Sequence, residues 1–174
     1  MIREFSEDHI PLAYLITFRC YGTWLHGDIR GSVDRHRNQY GAPLIPADPR
    51  WKRHNFITLK EDPVRLCKRQ RDVVTLAIKQ TCEHRKCGLY AVNVRSNHCH
   101  VVVSAGCGPS KILNALKANS TRALREADQW RPASSPWANG GSKRYLWTDI
   151  HFQRAIDYVE FDQGDVFPSL DDLI

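Results

Sequence analysis

Ser96-Asn97-His98-Cys99-His100-Val101-Val102-Val103-Ser104 is the stretch that decides the fold prediction. It predicts a β-strand, because a β-branched run follows polar residues and precedes two glycines. Alternate residues of a strand lie on the same side of a sheet, so His98 and His100 share one face and Cys99, Val101 and Val103 share the other. Two imidazoles on one rigid strand form part of a metal-ligand set. The simpler alternative is two surface histidines at strand spacing.

Hydrophobic periodicity on either side of this strand predicts further strands and helices. In chain order they are a strand over 12–19, a helix from Asp62-Pro63 to Gly88, a strand over 89–95, the histidine strand, a helix of about 18 residues from Pro109, a strand over 143–147 and a helix over 148–163. This order is the βαββαβ pattern of an α+β, ferredoxin-like antiparallel sheet. The last helix is expected to cover the open face of the sheet, where the two histidines lie.

The same alternation predicts which strand residues face the core. The inward positions are Tyr14, Ile16 and Phe18 in the first strand and Tyr90, Val92 and Val94 in the second. Asn93 and Arg95 would then lie on the opposite face, near the two histidines, if the second strand pairs with the histidine strand as a hairpin.

The last predicted helix carries a tyrosine outside its apolar stripe. The stripe consists of Phe152, Ala155, Ile156 and Val159. At about 100° per residue, Tyr158 lies about 110° from the centre of that stripe. Asp162 follows one turn later on the same flank. An exposed helix tyrosine and an ordinary carboxylate near the helix end are the structural alternative.

Composition limits the class of protein. The 174 residues predict a single domain over 1–174, in which 26–62 form a long, irregular and charged loop. A net charge of +6 and a pI of about 9.1 favour a polyanionic partner. With no apolar leader and no run long enough to span a bilayer, a cytoplasmic, nucleoid-associated protein is expected. The six cysteines form no Cys-x-x-Cys pair, and zinc at Cys82, His84 and Cys87 is disfavoured because a second ligand pair is missing.

If the last helix covers the histidine face, His98, His100 and Asp162 could hold a divalent ion beside Tyr158. A phenol has a pKa of about 10, so a neighbouring cation is needed to ease its attack on a phosphodiester. The product would be a covalent phosphotyrosine, which preserves the energy of the cleaved bond for rejoining.

The two motifs resemble those of a known family. Asn97-His98-Cys99-His100-Val101-Val102-Val103 resembles the His-hydrophobic-His (HUH) motif of single-tyrosine transposases, and Tyr158-Val159-Glu160-Phe161-Asp162 resembles their Tyr-x-x-x-Asn/Gln helix motif. Residues 16–25 and 141–147 are similar to the REP-associated, IS200-like branch. The similarity runs from about residue 12 to about residue 165.

The resemblance implies a metal-dependent endonuclease and strand transferase for single-stranded DNA with imperfect hairpins. Carried over residue by residue, Tyr158 is the nucleophile that becomes linked to a 5′-phosphate, and His98, His100 and Asp162 hold Mg²⁺ or Mn²⁺. The expected substrates are REP-like hairpins or insertion-sequence ends, and the expected state is a monomer or a homodimer. Phosphate contacts are predicted for Arg95, Lys117, Arg122 and Arg144.

The chain departs from the family pattern at two positions. Asp162 stands where the family has an amide, and Gln163 stands where a proline often follows. A carboxylate is a good ligand for a hard cation but adds a negative charge beside the phenol. The alternatives are therefore a non-catalytic or decayed module that binds hairpins on the same fold, and an unrelated two-histidine metalloenzyme acting on a small molecule.

Overall fold

A computed structural model describes residues 10–32 and 44–161 of the chain. Their strands and helices, in chain order, are β1 (Ala13–Arg19), α1 (Pro49–Ile57), α2 (Lys68–His84), β2 (Gly88–Val94), β3 (His98–Ser104), α3 (Pro109–Glu126), β4 (Ser142–Leu146) and α4 (Asp149–Glu160). The strands form one antiparallel sheet in the order β2-β3-β1-β4. This order and the helices around the sheet confirm the predicted α+β, ferredoxin-like fold.

One face of the sheet packs against α2 and α3 and forms the main hydrophobic core. Tyr14, Ile16 and Phe18 of β1 lie there, as predicted from their alternation. Cys99, Val101 and Val103 of β3 lie beside them and are fully buried. β3 therefore turns its histidines toward the opposite face, as the sequence predicts.

The opposite face of the sheet is covered by α4. Ala155 and Val159 of this helix pack on a second, smaller apolar cluster. Its strand members are Ala13, Leu15, Ala91, Val102 and Leu146, with Phe152 and Ile156 of α4 partly buried against them. Thr148 caps the helix by accepting a hydrogen bond from the backbone N–H of His151. The helix observed within the predicted range 148–163 ends at Glu160, and residues from 162 onward lie outside the described part.

The predicted start of the first long helix was wrong. α2 begins at Lys68 rather than at Asp62-Pro63, and residues 62–67 form no helix or strand. Val64 and Leu66 are buried at alternate positions, and their backbone N–H groups donate to Tyr21 and Ser96. These tertiary hydrogen bonds and the burial of two apolar side chains outweigh the Asp-Pro start signal.

The end of this helix and the start of β2 also differ from the prediction. Lys86, with φ of 55°, is the left-handed residue after α2, whereas Gly88 is the first residue of β2. A register shift between Leu89 and Ala91 then removes Tyr90 from the core face. Tyr90 is exposed and its ring packs against Phe152 of α4, so the prediction that it points inward was wrong.

The segment predicted as a loop over 26–62 contains the helix α1. Asp48 caps α1 by accepting from the N–H groups of Arg50 and Trp51. None of the residues of α1 is buried, which explains why no apolar stripe marked it in the sequence. Within 10–32 and 44–161, no helix is both apolar enough and long enough to cross a bilayer.

Candidate active site

The two histidines of β3 lie side by side where the sheet face under α4 turns from apolar to polar. The ring centroids of His98 and His100 are 4.7 Å apart. His100 is buried, and His98 is partly exposed. The sheet thus fixes two imidazoles at the spacing that period-two alternation predicts.

A side-chain oxygen contacts the Nδ1 atom of each imidazole. The Oγ1 atom of Thr17 lies 2.7 Å from Nδ1 of His100, and the Oδ1 atom of Asn97 lies 2.5 Å from Nδ1 of His98. An amide oxygen only accepts hydrogen bonds, so His98 donates from Nδ1 and its neutral ring carries the lone pair on Nε2. This arrangement is typical of histidines that bind a metal through Nε2.

Tyr158 of α4 lies over the same histidines. Its ring centroid is 5.3 Å from that of His100, with an angle of 76° between the rings. The side chain is 40 % exposed, as expected from its position outside the apolar stripe of α4. A solvent-accessible phenol beside two oriented imidazoles is the arrangement that the sequence predicts.

A hydrogen bond ties β2 to the turn of α4 that carries Tyr158. The Nδ2 atom of Asn93 donates to the backbone carbonyl of Val159 over 2.9 Å. Asn93 is also the register partner of His100. The residue therefore links the histidine strand to the tyrosine helix, on the face where the sequence places it.

The donor set fits a divalent cation in part. His98 and His100 supply two imidazoles whose Nδ1 atoms have oxygen partners, which suits a borderline or hard divalent ion. No group of three or more His, Cys, Asp or Glu side chains comes together among residues 10–32 and 44–161. Asp162, the expected third ligand, lies outside this range. Its role stays a prediction.

Two of the four residues predicted to contact phosphate start from the histidine side of the sheet. Arg144 of β4 is the register partner of Leu15, which faces α4, and its side chain is exposed. Arg95 follows β2 and donates its backbone N–H to the carbonyl of His98. Arg95 is only 4 % exposed, so a phosphate has little access to it.

The other two lie on α3, which packs on the opposite face of the sheet. Lys117 donates from Nζ to the carbonyls of Ala138 and Gly140, and burial lowers its pKa. Arg122 is exposed, donates to Oδ1 of Asn119 and lines a surface groove with Arg125. The structure does not bring these two residues together with the histidines.

Sequence reasoning missed Thr17 and Arg19 of β1. Both lie on the histidine face, because their register partners are His100 and His98 respectively. Their alternation with Ile16 and Phe18 was the available signal. That signal places the two residues near the histidines only when the pairing of β1 with β3 is known, and the sequence alone does not show this pairing.

Comparison with known proteins is consistent with this geometry. Residues 51–162 match the family model described as "Transposase IS200 like". Among solved structures, the chain resembles a REP-associated tyrosine transposase bound to a REP hairpin, with a TM-score of 0.51 and 13% identity over 92% of this chain and 72% of that one. It also resembles a "putative transposase" from Deinococcus radiodurans R1, with a TM-score of 0.47 and 11% identity over 94% of this chain and 100% of that one. No curated protein matches the chain.

At such low identities the structural likeness shows the fold alone. The family model carries more weight, because it matches more than half of the chain and its range includes His98, His100, Tyr158 and Asp162. The resemblance drawn from the two motifs is thereby confirmed, and the chain belongs to the IS200-like transposase family.

Proposed function

We propose that this chain is a metal-dependent enzyme that nicks and rejoins single-stranded DNA near hairpins through Tyr158. The observation that carries the proposal is the position of the Tyr158 ring 5.3 Å from that of His100, with His98 beside it. Membership of the transposase family supports a nucleic acid as the substrate. The net charge of +6 agrees with a polyanionic partner.

In the proposed reaction the phenolic oxygen of Tyr158 forms a bond to the phosphorus and the bond from phosphorus to O3′ breaks. The phenol loses its proton, and the departing oxygen is released as a 3′-hydroxyl. The 5′-phosphate stays on Tyr158, so attack by a 3′-hydroxyl reverses the step and joins strands.

We propose His98 and His100, with Asp162, as the residues that hold Mg²⁺ or Mn²⁺. Such a cation supplies polarisation of a phosphodiester oxygen and stabilises charge in the transition state. The contribution of Thr17 and Asn97 is to orient the imidazoles, and that of Asn93 is to hold the helix of Tyr158 near them.

The test is the appearance of a covalent protein–DNA adduct. Purified protein is incubated with a panel of labelled hairpin DNAs carrying single-stranded flanks, in Mn²⁺ or Mg²⁺, and run on a denaturing gel. We expect a label that migrates with the protein and that disappears with EDTA, with Tyr158→Phe and with His98→Ala.

Tyr145→Phe is the matched control, because this tyrosine lies on β4 with its ring stacked on Trp147, away from the histidine face. It should form the adduct as wild type does. Hairpin binding without any adduct would sink the catalytic proposal and favour a binding module on the same fold. Asp162→Asn, which restores the amide of the family pattern, would then separate a decayed enzyme from a protein that never cleaved.

A further inference from the structure

Two arginines and a tryptophan form a cluster at the end of β1, next to His98. The Cζ atom of Arg19 lies 3.4 Å from the centroid of the Trp24 ring, and that of Arg30 lies 4.3 Å from it. The indole Nε1 of Trp24 donates to the carbonyl of Gly31 over 2.7 Å, which fixes the ring. We call Arg19, Trp24 and Arg30 the arginine–tryptophan cluster.

The cluster has an excess of positive charge. Asp28 is 2 % exposed and forms ion pairs with Arg30 over 2.7 Å and with Lys52 over 3.1 Å. Among the ion pairs of the described residues, no second carboxylate joins these cations. Among the residues that the structure describes, Arg19, Arg30 and Lys52 thus carry three positive charges around the single negative charge of Asp28.

The guanidinium group of Arg19, which contributes to this excess of positive charge, is partly shielded from water. Burial, with a smaller contribution from the positive charge of Arg30, lowers the pKa of Arg19 to about 10, although the charge of Asp28 acts in the opposite direction. Two guanidinium groups over one indole therefore repel each other in a setting that screens them poorly. An anion bound at the arginine–tryptophan cluster would relieve that repulsion.

The position of the cluster indicates which anion it takes. Arg19 is the register partner of His98, so its side chain starts from the face on which the histidines and Tyr158 lie. A guanidinium is planar and offers paired N–H donors to phosphate, and stacking on an indole holds its plane in place. Arg19, Trp24 and Arg30 all precede the range that the family model matches, which begins at residue 51.

We propose that the arginine–tryptophan cluster binds a phosphodiester group of the single-stranded flank, next to the phosphate that Tyr158 attacks. The inference rests on the proposed function for the nature of the anion. Arg19 and Arg30 then fix the position of the DNA strand along the histidine face, and with it which phosphate lies at Tyr158. Asp28 holds Arg30 in place rather than contacting DNA.

The experiment measures binding without cleavage, in EDTA. The probe is the fluorescein-labelled hairpin DNA with a single-stranded flank that wild type binds most tightly, titrated at several salt concentrations. For Arg19→Gln we expect about tenfold weaker binding, as for the loss of a hydrogen-bonded charge. The slope of log K against log salt should fall by about 0.7, the value for one phosphate of a single strand.

A series of probes with one neutral methylphosphonate each, moved along the flank, locates the contact. At one position we expect the methylphosphonate to weaken wild-type binding and to abolish the further effect of Arg19→Gln, because both changes remove the same contact. Arg19→Lys keeps the charge and loses the planar fork, so we expect it to keep the salt slope while binding a few-fold more weakly. If Arg19→Gln does not fold, the lysine variant and the probe series carry the test.

Arg69→Gln is the matched control, because Arg69 is an exposed arginine in the first turn of α2. The proposal is overturned if Arg19→Gln binds like Arg69→Gln, or if its effect adds to that of every methylphosphonate. Adduct formation is scored separately in Mn²⁺. A wild-type protein that forms no adduct, yet shows the Arg19-dependent contact, would refute cleavage by Tyr158 while supporting the phosphate contact of the arginine–tryptophan cluster.

Discussion

Thr17 and Asn97 orient the two imidazoles, although neither residue was predicted to belong to the site. Each places an oxygen on Nδ1 of one histidine, at 2.7 Å for His100 and 2.5 Å for His98. Such contacts fix the orientation of a ligand histidine, and the amide oxygen of Asn97, which can only accept, also fixes the tautomer of His98. If the histidines bind a cation, metal affinity should depend on these neighbours.

Thr17→Val keeps the shape of the side chain and removes its hydroxyl. We expect the Mn²⁺ concentration needed for half-maximal adduct formation to rise by about ten- to a hundredfold, because His100 loses its orienting contact. Hairpin binding in EDTA should not change. Thr75→Val is the control, since Thr75 lies on α2 and its hydroxyl donates to the carbonyl of Arg71. Equal metal dependence in wild type and Thr17→Val would contradict the orienting role.

Tyr14 offers a test of stability at a single atom. Its side chain is 1 % exposed, and its hydroxyl has no hydrogen-bond partner among the described residues. Burial raises its pKa to about 12. Tyr14→Phe removes an unsatisfied polar atom and keeps the ring that packs edge-on against Tyr145.

We therefore expect Tyr14→Phe to raise the free energy of unfolding by about 1 kcal/mol, measured by urea denaturation. Tyr21→Phe is the comparison, because the Tyr21 hydroxyl accepts a hydrogen bond from the backbone N–H of Lys60. That variant should lose stability. A loss of stability in Tyr14→Phe would mean that its hydroxyl has a partner.

At the residue scale the sequence predicted the histidines and the tyrosine but not the groups that orient them. The shared face of His98 and His100 follows from the period of a strand, which is a local property. The contacts of Thr17 and Asn93 depend on which residue of a neighbouring strand or helix lies opposite them. Thr17 is 83 residues from its partner His100 in the sequence, and Asn93 is 66 residues from its partner Val159. No local pattern contains that information.

At the scale of the element, the packing of α4 on the sheet determines where Tyr158 lies. One side of the helix buries Ala155 and Val159 against the apolar end of the sheet face, and its next flank presents Tyr158 to His100. The Asn93 side chain fixes the end of the helix by donating to the carbonyl of Val159. A side chain on a docked helix is held more firmly than one on a loop.

Asn93→Ala should loosen that end of α4 without removing its apolar docking. We expect the rate of adduct formation to fall by about tenfold, because small displacements of a reacting group are costly. Hairpin binding should change little. Gln153→Ala is the control on the same helix, since the Gln153 amide donates to the exposed Asp157 on the surface of α4. Equal rates in Asn93→Ala and wild type would show that packing alone positions Tyr158.

The elements themselves were predicted well where one apolar face is buried. α3 begins at Pro109 and runs for 18 residues, as its period indicates, and the apolar stripe of α4 is the one that packs. The errors fall where tertiary contacts outweigh local signals. A segment without regular secondary structure, which contains Val64 and Leu66, replaces the predicted first helical turn. The irregular register of β2 places Tyr90 on the outer face.

At the scale of the whole molecule, the two faces of the sheet differ in what covers them and in their polarity. One is closed by α2 and α3 over the main core, and the other is apolar under α4 and polar around the histidines. The segment after β1, which carries Trp24, Asp28 and Arg30, adds further polar groups beside the histidines. Gly27, with φ of 89°, lets this segment approach the backbone of Asp48 and Lys52 so closely that a Cβ atom would overlap them.

Asp28 forms ion pairs with Arg30 and Lys52 where the segment after β1 meets α1. The ionisation of Asp28 should therefore make the free energy of unfolding depend on pH. Burial alone would raise the pKa of Asp28, but the hydrogen bonds from Arg30 and Lys52 outweigh it and hold the pKa well below the ordinary value. In the unfolded chain the group titrates near a pH of about 3.9. The folded state therefore binds this proton less readily, so the stability from Asp28 is complete above about pH 4 and is lost as the pH falls toward the folded pKa.

Asp28→Asn should consequently lower the free energy of unfolding at neutral pH by about 2 kcal/mol, since Arg30 and Lys52 lose a charged hydrogen-bond acceptor. The difference from wild type should narrow below about pH 4, where the wild-type carboxylate begins to lose its advantage. Urea midpoints followed by tryptophan fluorescence across a pH series provide the measurement. Asp72→Asn is the control, because the ion pair of Asp72 with Lys68 is exposed and should contribute little at any pH. A difference between Asp28→Asn and wild type that stays constant down to about pH 2 would show that the carboxylate acts through its shape and not through its charge.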